Sequence, residues 1–196
     1  MDSVSKENLN TIKKNKGKII GLSLKKDREF VLEKEGEEGL NKVEKEMEKM
    51  GYVLKTEDIG NYEWYPVQFD SLFLLLSKYF FDWDEEIMKE WGRWAAKTHF
   101  LARIMAKFFI SRKKLTEMAN RLWRKYYTQG TLEVKFDENN NFGIAEIKDF
   151  LLVPSHRLYL EGYFYQIASL VISSSKLKVV QVKDKDKKNH RFEITW

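Results

Sequence analysis

The sequence predicts an α+β fold, with helices through the first two thirds packed on a C-terminal antiparallel four-stranded sheet of ββαββ order. Three observations predict it. Apolar residues recur at three- and four-residue spacing as far as Tyr126, the period changes to two after Gly130, and most of the large rings fall on the helical stretches. At 196 residues, with 43% hydrophobic and 14% aromatic content, the chain supports one well-cored globular domain. The division expected is a flexible arm over residues 1–17 and a single domain over 18–196.

Taken in order, the arm is polar and lysine-rich, with Leu9 and Ile12 its spaced apolar residues, and reads as a loosely held segment or short helix ending at Gly17. Ile19, Ile20, Leu22 and Leu24 lead into a helix that stops near Gly36. A second helix carries Leu40, Val43, Met47 and Met50 on one stripe and closes at Gly51. Tyr52 to Ile59 form an extended connector. Pro66 fits the first turn of the next helix, where its missing N–H would be unpaired anyway, and Phe69, Leu72, Phe73, Leu76 and Phe80 form that helix's main stripe.

The central helix is expected over 84–109, opened by Asp84, Glu85 and Glu86 where the helix dipole favours negative charge. Ile87, Trp91, Trp94, Ala95 and Met105 share its inner side, so the two indoles should face inward between helices and sheet. Another helix follows Ser111, with Leu115, Met118, Ala119, Leu122, Trp123 and Tyr126 on its stripe. Thr131 to Phe136 and Phe142 to Ile147 alternate as a hairpin around the Glu138–Asn141 turn. A helix over about 156–172 and two closing strands, 176–183 and 190–196, complete the chain.

Composition removes several function classes. Without cysteine there is no disulfide, thiolate metal site or cysteine nucleophile. The polar N-terminus is unlike a signal peptide, and no apolar run approaches the roughly 20 residues that span a bilayer, so no membrane span and a cytoplasmic location are expected. The net charge of +5 conceals an acidic stretch over 27–90 and a basic one over 97–125. The basic face, including Arg112, Lys113, Lys114, Arg121, Arg124 and Lys125, reads as solvated, and nucleic acid ranks last among partners.

The local wording, from GKIIG (17–21) and EKEGEEGLNKV (33–43) through WYPVQFDSLFLLL (64–76), EEIMKEWGRWAA (85–96) and LWRKYYTQGTLEV (122–134), resembles one superfamily. The later pieces are AEIKDFLLVPSH (145–156), LEGYFYQIASLV (160–171) and RFEITW (191–196). The superfamily holds the heme-dependent nitric-oxide/oxygen binding domains, the vinyl-reductase-like (V4R) small-molecule-binding domains and the Bet3-type trafficking subunits. The chain is most similar to its heme-less bacterial branch of uncharacterised domains. Two departures bear on function. Heme-binding members carry a Leu-His pair on the helix before the sheet, where this chain has Leu122-Trp123, and their Tyr-x-Ser-x-Arg signature is missing. The cysteines that the vinyl-reductase-like branch often carries near its last strands are missing too. The resemblance therefore implies a scaffold without heme or metal, and neither is expected here.

No phosphate-binding glycine loop or nucleophile turn occurs, the carboxylates at 84–86 are explained by the helix dipole, and no catalytic residue is assigned. His99 borders the central helix's apolar stripe as a buried neutral imidazole. His156, near a helix start, and His190, entering a strand, are expected to be exposed. The remaining feature is the aromatic group Trp64, Trp91, Trp94, Trp123 and Tyr126, with His99 beside it, which predicts an apolar pocket for a hydrophobic small molecule. The expected function is a non-enzymatic ligand-binding or sensory module. The alternative is a protein-interaction subunit, a homodimer or a complex with another protein, using Phe100 and Ile104 on an otherwise basic face.

Overall fold

The computed structural model describes residues 5–98, 111–182 and 188–196. Helix α1, Lys6–Lys14, starts where Ser5 Oγ accepts the Asn8 amide, and its Ile12 is buried. Strand β1, Lys18–Ile20, pairs antiparallel with β2, Trp64–Pro66, with Ile19 opposite Tyr65. The other edge of β1 is bonded as well. Ile20 N–H donates to the Tyr126 carbonyl at 3.0 Å, and the Thr128 N–H donates to the Lys18 carbonyl at 3.0 Å.

Helix α2, Gly21–Lys49, is broken at Gly36, whose φ of 69° and ψ of −175° only glycine adopts readily. Arg28 and Glu44 lie 16 residues apart, roughly 24 Å along a straight helix. Their side chains nevertheless meet at 3.0 Å, so the chain doubles back at Gly36. The stop expected there is thus a reversal between two helical arms.

Helix α3, Gln68–Phe80, buries Leu72 through Leu76 around most of its circumference. Pro66 closes β2 opposite Lys18 and is not in this helix's first turn, because the Val67 N–H donates to the Gly17 carbonyl at 3.0 Å and keeps that residue with the strand pair. Helix α4, Glu85–Thr98, buries Met88, Trp91, Gly92, Ala95 and Ala96. The rest of the central helix expected over 84–109 lies outside the described residues, as do His99, Phe100 and Ile104. Helix α5, Arg112–Trp123, is capped by Ser111 Oγ.

Strands β3, Thr131–Asp137, and β4, Phe142–Lys148, form the first hairpin; β5, Lys178–Val182, and β6, His190–Thr195, form the second. The sheet order is β3-β4-β6-β5, antiparallel throughout, with Val134 opposite Ala145 and Ala145 opposite Phe192. Leu132, Val134, Ala145, Ile147, Phe192 and Ile194 alternate onto one buried face. Helix α6, Pro154–Ser169, has its proline in the first turn and lays Phe164 against Phe192, ring centroids 5.0 Å apart. Helices therefore cover one face of an antiparallel sheet, the α+β architecture expected. No described helix is long and apolar enough to cross a membrane.

Among the described helices, α4 and α6 pack most tightly. A Cβ at Gly92 would lie 1.8 Å from the Tyr159 carbonyl oxygen, and one at Gly162 would lie 1.9 Å from that of Lys89. The backbones touch at both glycines. Around this contact, Trp91 stacks on Phe30 at 5.1 Å and meets Phe73, Trp83 and Tyr159 edge to face. Trp91 thus faces fully inward, and Trp94 is half-buried against Phe30. Gly92→Ala and Gly162→Ala are each expected to lower stability by about 3 kcal/mol or more, since backbone cannot yield as a side-chain tip can. Urea unfolding measures this.

Candidate functional site

A cavity of about 80 Å3 lies between α5, α6 and the inner face of the sheet. One water needs roughly 10–15 Å3, so there is room for a small organic molecule. The helical period turns Leu115, Ala119 and Leu122 of α5 toward it, and the strand period of β3 adds Leu132 and Val134. Because α5 and α6 run along the cavity, Leu115 and Ile167 wall one end and Trp123, Tyr126, Tyr127 and Tyr159 gather at the other. Ser23 of α2 joins the aromatic end.

Of the residues expected to line a pocket, Trp123 and Tyr126 do. Trp123 is fixed by stacking on Tyr127 at 4.4 Å and by donating its indole N–H to the Gln129 carbonyl at 2.9 Å. Trp91 and Trp94 belong to the ring cluster around Phe30, enclosed by helices and apart from this cavity. Trp64, on the short strand β2, is 39% exposed.

Behind the aromatic end lies a polar cluster that sequence reasoning missed. Asp27 of α2 and Asp70 of α3 are each 2% exposed. Neither Asp27 oxygen, nor Asp70 Oδ2, has a hydrogen-bonding partner. Asp70 and the Tyr159 hydroxyl stand within hydrogen-bonding reach of Asp27, without good hydrogen-bond geometry. The adjacent cation, Arg28, is engaged: Nε donates to Glu44 Oε1 at 3.0 Å, Nη1 to the Leu24 carbonyl and Nη2 to the Leu54 carbonyl. Its guanidinium also lies 4.8 Å from the centre of the Phe73 ring.

His156 and His190 are 0% and 1% exposed, which corrects the expectation that both face solvent. His156 sits in the third position of α6, on the side that packs inward with Tyr159 and Leu160. Its Nε2 is 3.6 Å from Asp70 Oδ2 and its Nδ1 is 3.5 Å from Ser71 Oγ, both too long for strong bonds. His190 is drawn in because its Nε2 lies 2.9 Å from the Phe150 carbonyl, an acceptor, which places the proton on Nε2.

Burial governs these ionisations. It raises Asp70 to about 7, against the opposing effects of Asp27 and Arg28. Burial, then the neighbouring Asp70, holds Asp27 well above the usual carboxylate range. Burial, then the charge of His190, lowers His156 to about 3, so the close Asp70–His156 approach is carboxyl to neutral imidazole and not an ion pair. The phenols of Tyr127, Tyr159 and Tyr163 are all raised by burial and stay protonated. A signal for the cluster exists in the sequence. Asp27 sits three residues from both Leu24 and Phe30, and Asp70 three before Phe73, so both carboxyls occupy core-facing helical positions. Among the described residues, no three histidine or carboxylate side chains converge as a metal site.

No family model matches the sequence, and no curated protein matches it. Solved structures of H-NOX proteins do share the fold. The Fe(II) unliganded H-NOX protein from K. algicida superposes with a TM-score of 0.62 at 14% identity, over 90% of this chain and 96% of that one. The H-NOX protein from S. oneidensis in the Fe(II)NO state gives 0.61 at 12%, over 90% and 98%. A Cs H-NOX variant gives 0.62 at 15%, over 90% and 96%. The chain therefore has the heme-nitric-oxide-binding-like fold expected from its wording.

The raised Asp70 makes stability depend on pH in a defined direction. The folded state keeps this proton after the unfolded chain has lost it, so its stabilising contribution is full below the ordinary value of 3.8 and is lost as pH rises through about 7. The lowered His156 acts oppositely: its contribution is present above the ordinary 6.5 and lost as pH falls toward about 3. Asp70→Asn removes only the first. At about pH 8 its thermal midpoint is expected to exceed that of the wild type by on the order of 5 °C, with the gap closing toward about pH 4.

Proposed function

We propose that the protein is a non-enzymatic small-molecule-binding or sensory module whose ligand, largely apolar, occupies the cavity between α5, α6 and the sheet. The observation that carries this reading is the cavity itself. Well-packed cores leave few voids larger than a water molecule, whereas this one is several times that size and is apolar along most of its wall. Among the described residues no histidine, carboxylate or amine lines it to serve as a base for the Ser23 hydroxyl, and no metal cluster forms, which supports binding over catalysis.

The residues present do not fit a heme. Among the described residues, the cavity lining holds no histidine, cysteine or methionine to ligate iron, and no lysine or arginine to meet propionates. Leu122-Trp123 stands where the resemblance places the iron-ligating pair, and the Trp123 N–H is already donated to a backbone carbonyl. Tyrosine ligates heme iron as phenolate, and burial opposes that form at Tyr127, Tyr159 and Tyr163. These observations support a heme-less member of the superfamily, with the ligand taken directly by the protein.

Ala119 is buried on the cavity wall, so a larger side chain there occupies the ligand's space. Ethylbenzene is expected to bind the wild type in a saturable way, and Ala119→Phe to weaken it by roughly tenfold or more while the protein remains folded. Isothermal titration, with circular dichroism to confirm folding, measures both. Equal binding to the two proteins removes the cavity as the ligand site.

A further inference from the structure

We propose that the cavity selects molecules with a protonated amine on an apolar body, the ammonium lying at the end formed by Ser23, Tyr127 and Tyr159. The proposal rests on the cavity being the ligand site and adds the chemical class of the ligand.

The distribution of charge is the argument. Asp27 lies one helical turn beyond Ser23 on the same face of α2, so it stands directly behind the polar end. Tyr159 faces the Asp27 carboxyl, and both Asp27 and Asp70 act on Tyr127. Three carboxyl oxygens of this pair are buried without a well-formed hydrogen bond. Unsatisfied acceptors of that kind are costly and rare in folded proteins.

The charged and titratable groups around the pair do not supply what it lacks. Arg28 is matched by Glu44 and two carbonyls. Lys89 of α4 is paired with Glu161 at 2.9 Å. From α6, His156 meets Asp70 as a neutral ring, and Tyr163 is held as a neutral phenol. The site therefore has an excess of acceptors and negative charge, which the protein alone relieves by keeping protons on the carboxyls.

An ammonium relieves it differently. A tyrosine hydroxyl can accept a hydrogen bond from the ammonium while donating its own proton toward Asp27, and the electron-rich rings gathered at the same end suit a cation. The carboxyl then releases its proton, so RNH3+ and a protonated Asp27 become RNH3+ beside an ionised Asp27, plus one proton in solvent. Charge and atoms balance. An anionic head meets repulsion at this end, and a hydrocarbon leaves the carboxyls as they are.

The test compares benzylamine, benzyl alcohol and ethylbenzene by isothermal titration on the whole protein, in buffers of low and high ionisation enthalpy at about pH 6 and about pH 8. Benzylamine is expected to bind roughly tenfold or more tighter than ethylbenzene, to release protons on binding, and to bind tighter at the higher pH. Asp27→Asn is expected to bring benzylamine down to the ethylbenzene level and to abolish the proton release, with ethylbenzene within about twofold of wild type; if Asp27→Asn fails to fold, Asp70→Asn, which removes the neighbouring charge that keeps a proton on Asp27, is expected to reduce the proton release. Saturable ethylbenzene binding with no advantage for benzylamine, or an advantage unchanged in the folded variant, overturns the proposal and leaves the cavity reading standing. Failure of all three probes to bind overturns both.

Discussion

The structure depends on how closely α4 and α6 approach. Gly92 meets the backbone of Tyr159, and Gly162 meets that of Lys89, so no side chain separates the two helices at their crossing. This fixes the depth of α6, which bears the sheet on one side through Phe164 and Phe192 and the ring cluster on the other through Tyr159 and Trp91. Steric repulsion rises steeply, so the approach acts as a hard stop. A wider separation would move Tyr159 and His156 away from Asp27 and Asp70 and change the aromatic end of the cavity.

That end combines two environments that usually exclude each other. Carboxyls buried among rings lose the solvation that stabilises their charge, and their values rise accordingly. A core built for stability alone would replace Asp27 and Asp70 with apolar groups of similar volume. Keeping them, next to a cavity and beside a guanidinium already committed to Glu44, concentrates poorly satisfied polar groups at one place.

Much of the fold was legible because periodicity reports burial. The hairpin over Thr131–Lys148 and the buried stripe of α5 follow directly from alternation and helical spacing. Pro66 misled because a proline at a helix start and one on a short edge strand share the same local sequence; only the distant Gly17 carbonyl distinguishes them. The site was legible by halves. Trp123 and Tyr126 were found as large rings on an inward stripe, while Trp91 shares that description and packs solidly elsewhere, since ring content does not encode where α4 and α6 touch. The histidines were misplaced because a polar residue at an element's start usually faces water, and what draws in His190 is a carbonyl forty residues away. Asp27 and Asp70 were passed over because an acid in a helical stretch ordinarily faces water, and only their three-residue spacing from Leu24, Phe30 and Phe73 marks them as inward.

Strand β1 has only three residues, yet it is hydrogen-bonded on both edges, to β2 on one side and to the segment after α5 on the other. The helical arms of α2 and the chain leading into the sheet thus share a seam. Separating them breaks bonds at Lys18 and Ile20 together, which couples loss of the N-terminal helices to loss of the sheet and favours a cooperative, two-state melting of the whole.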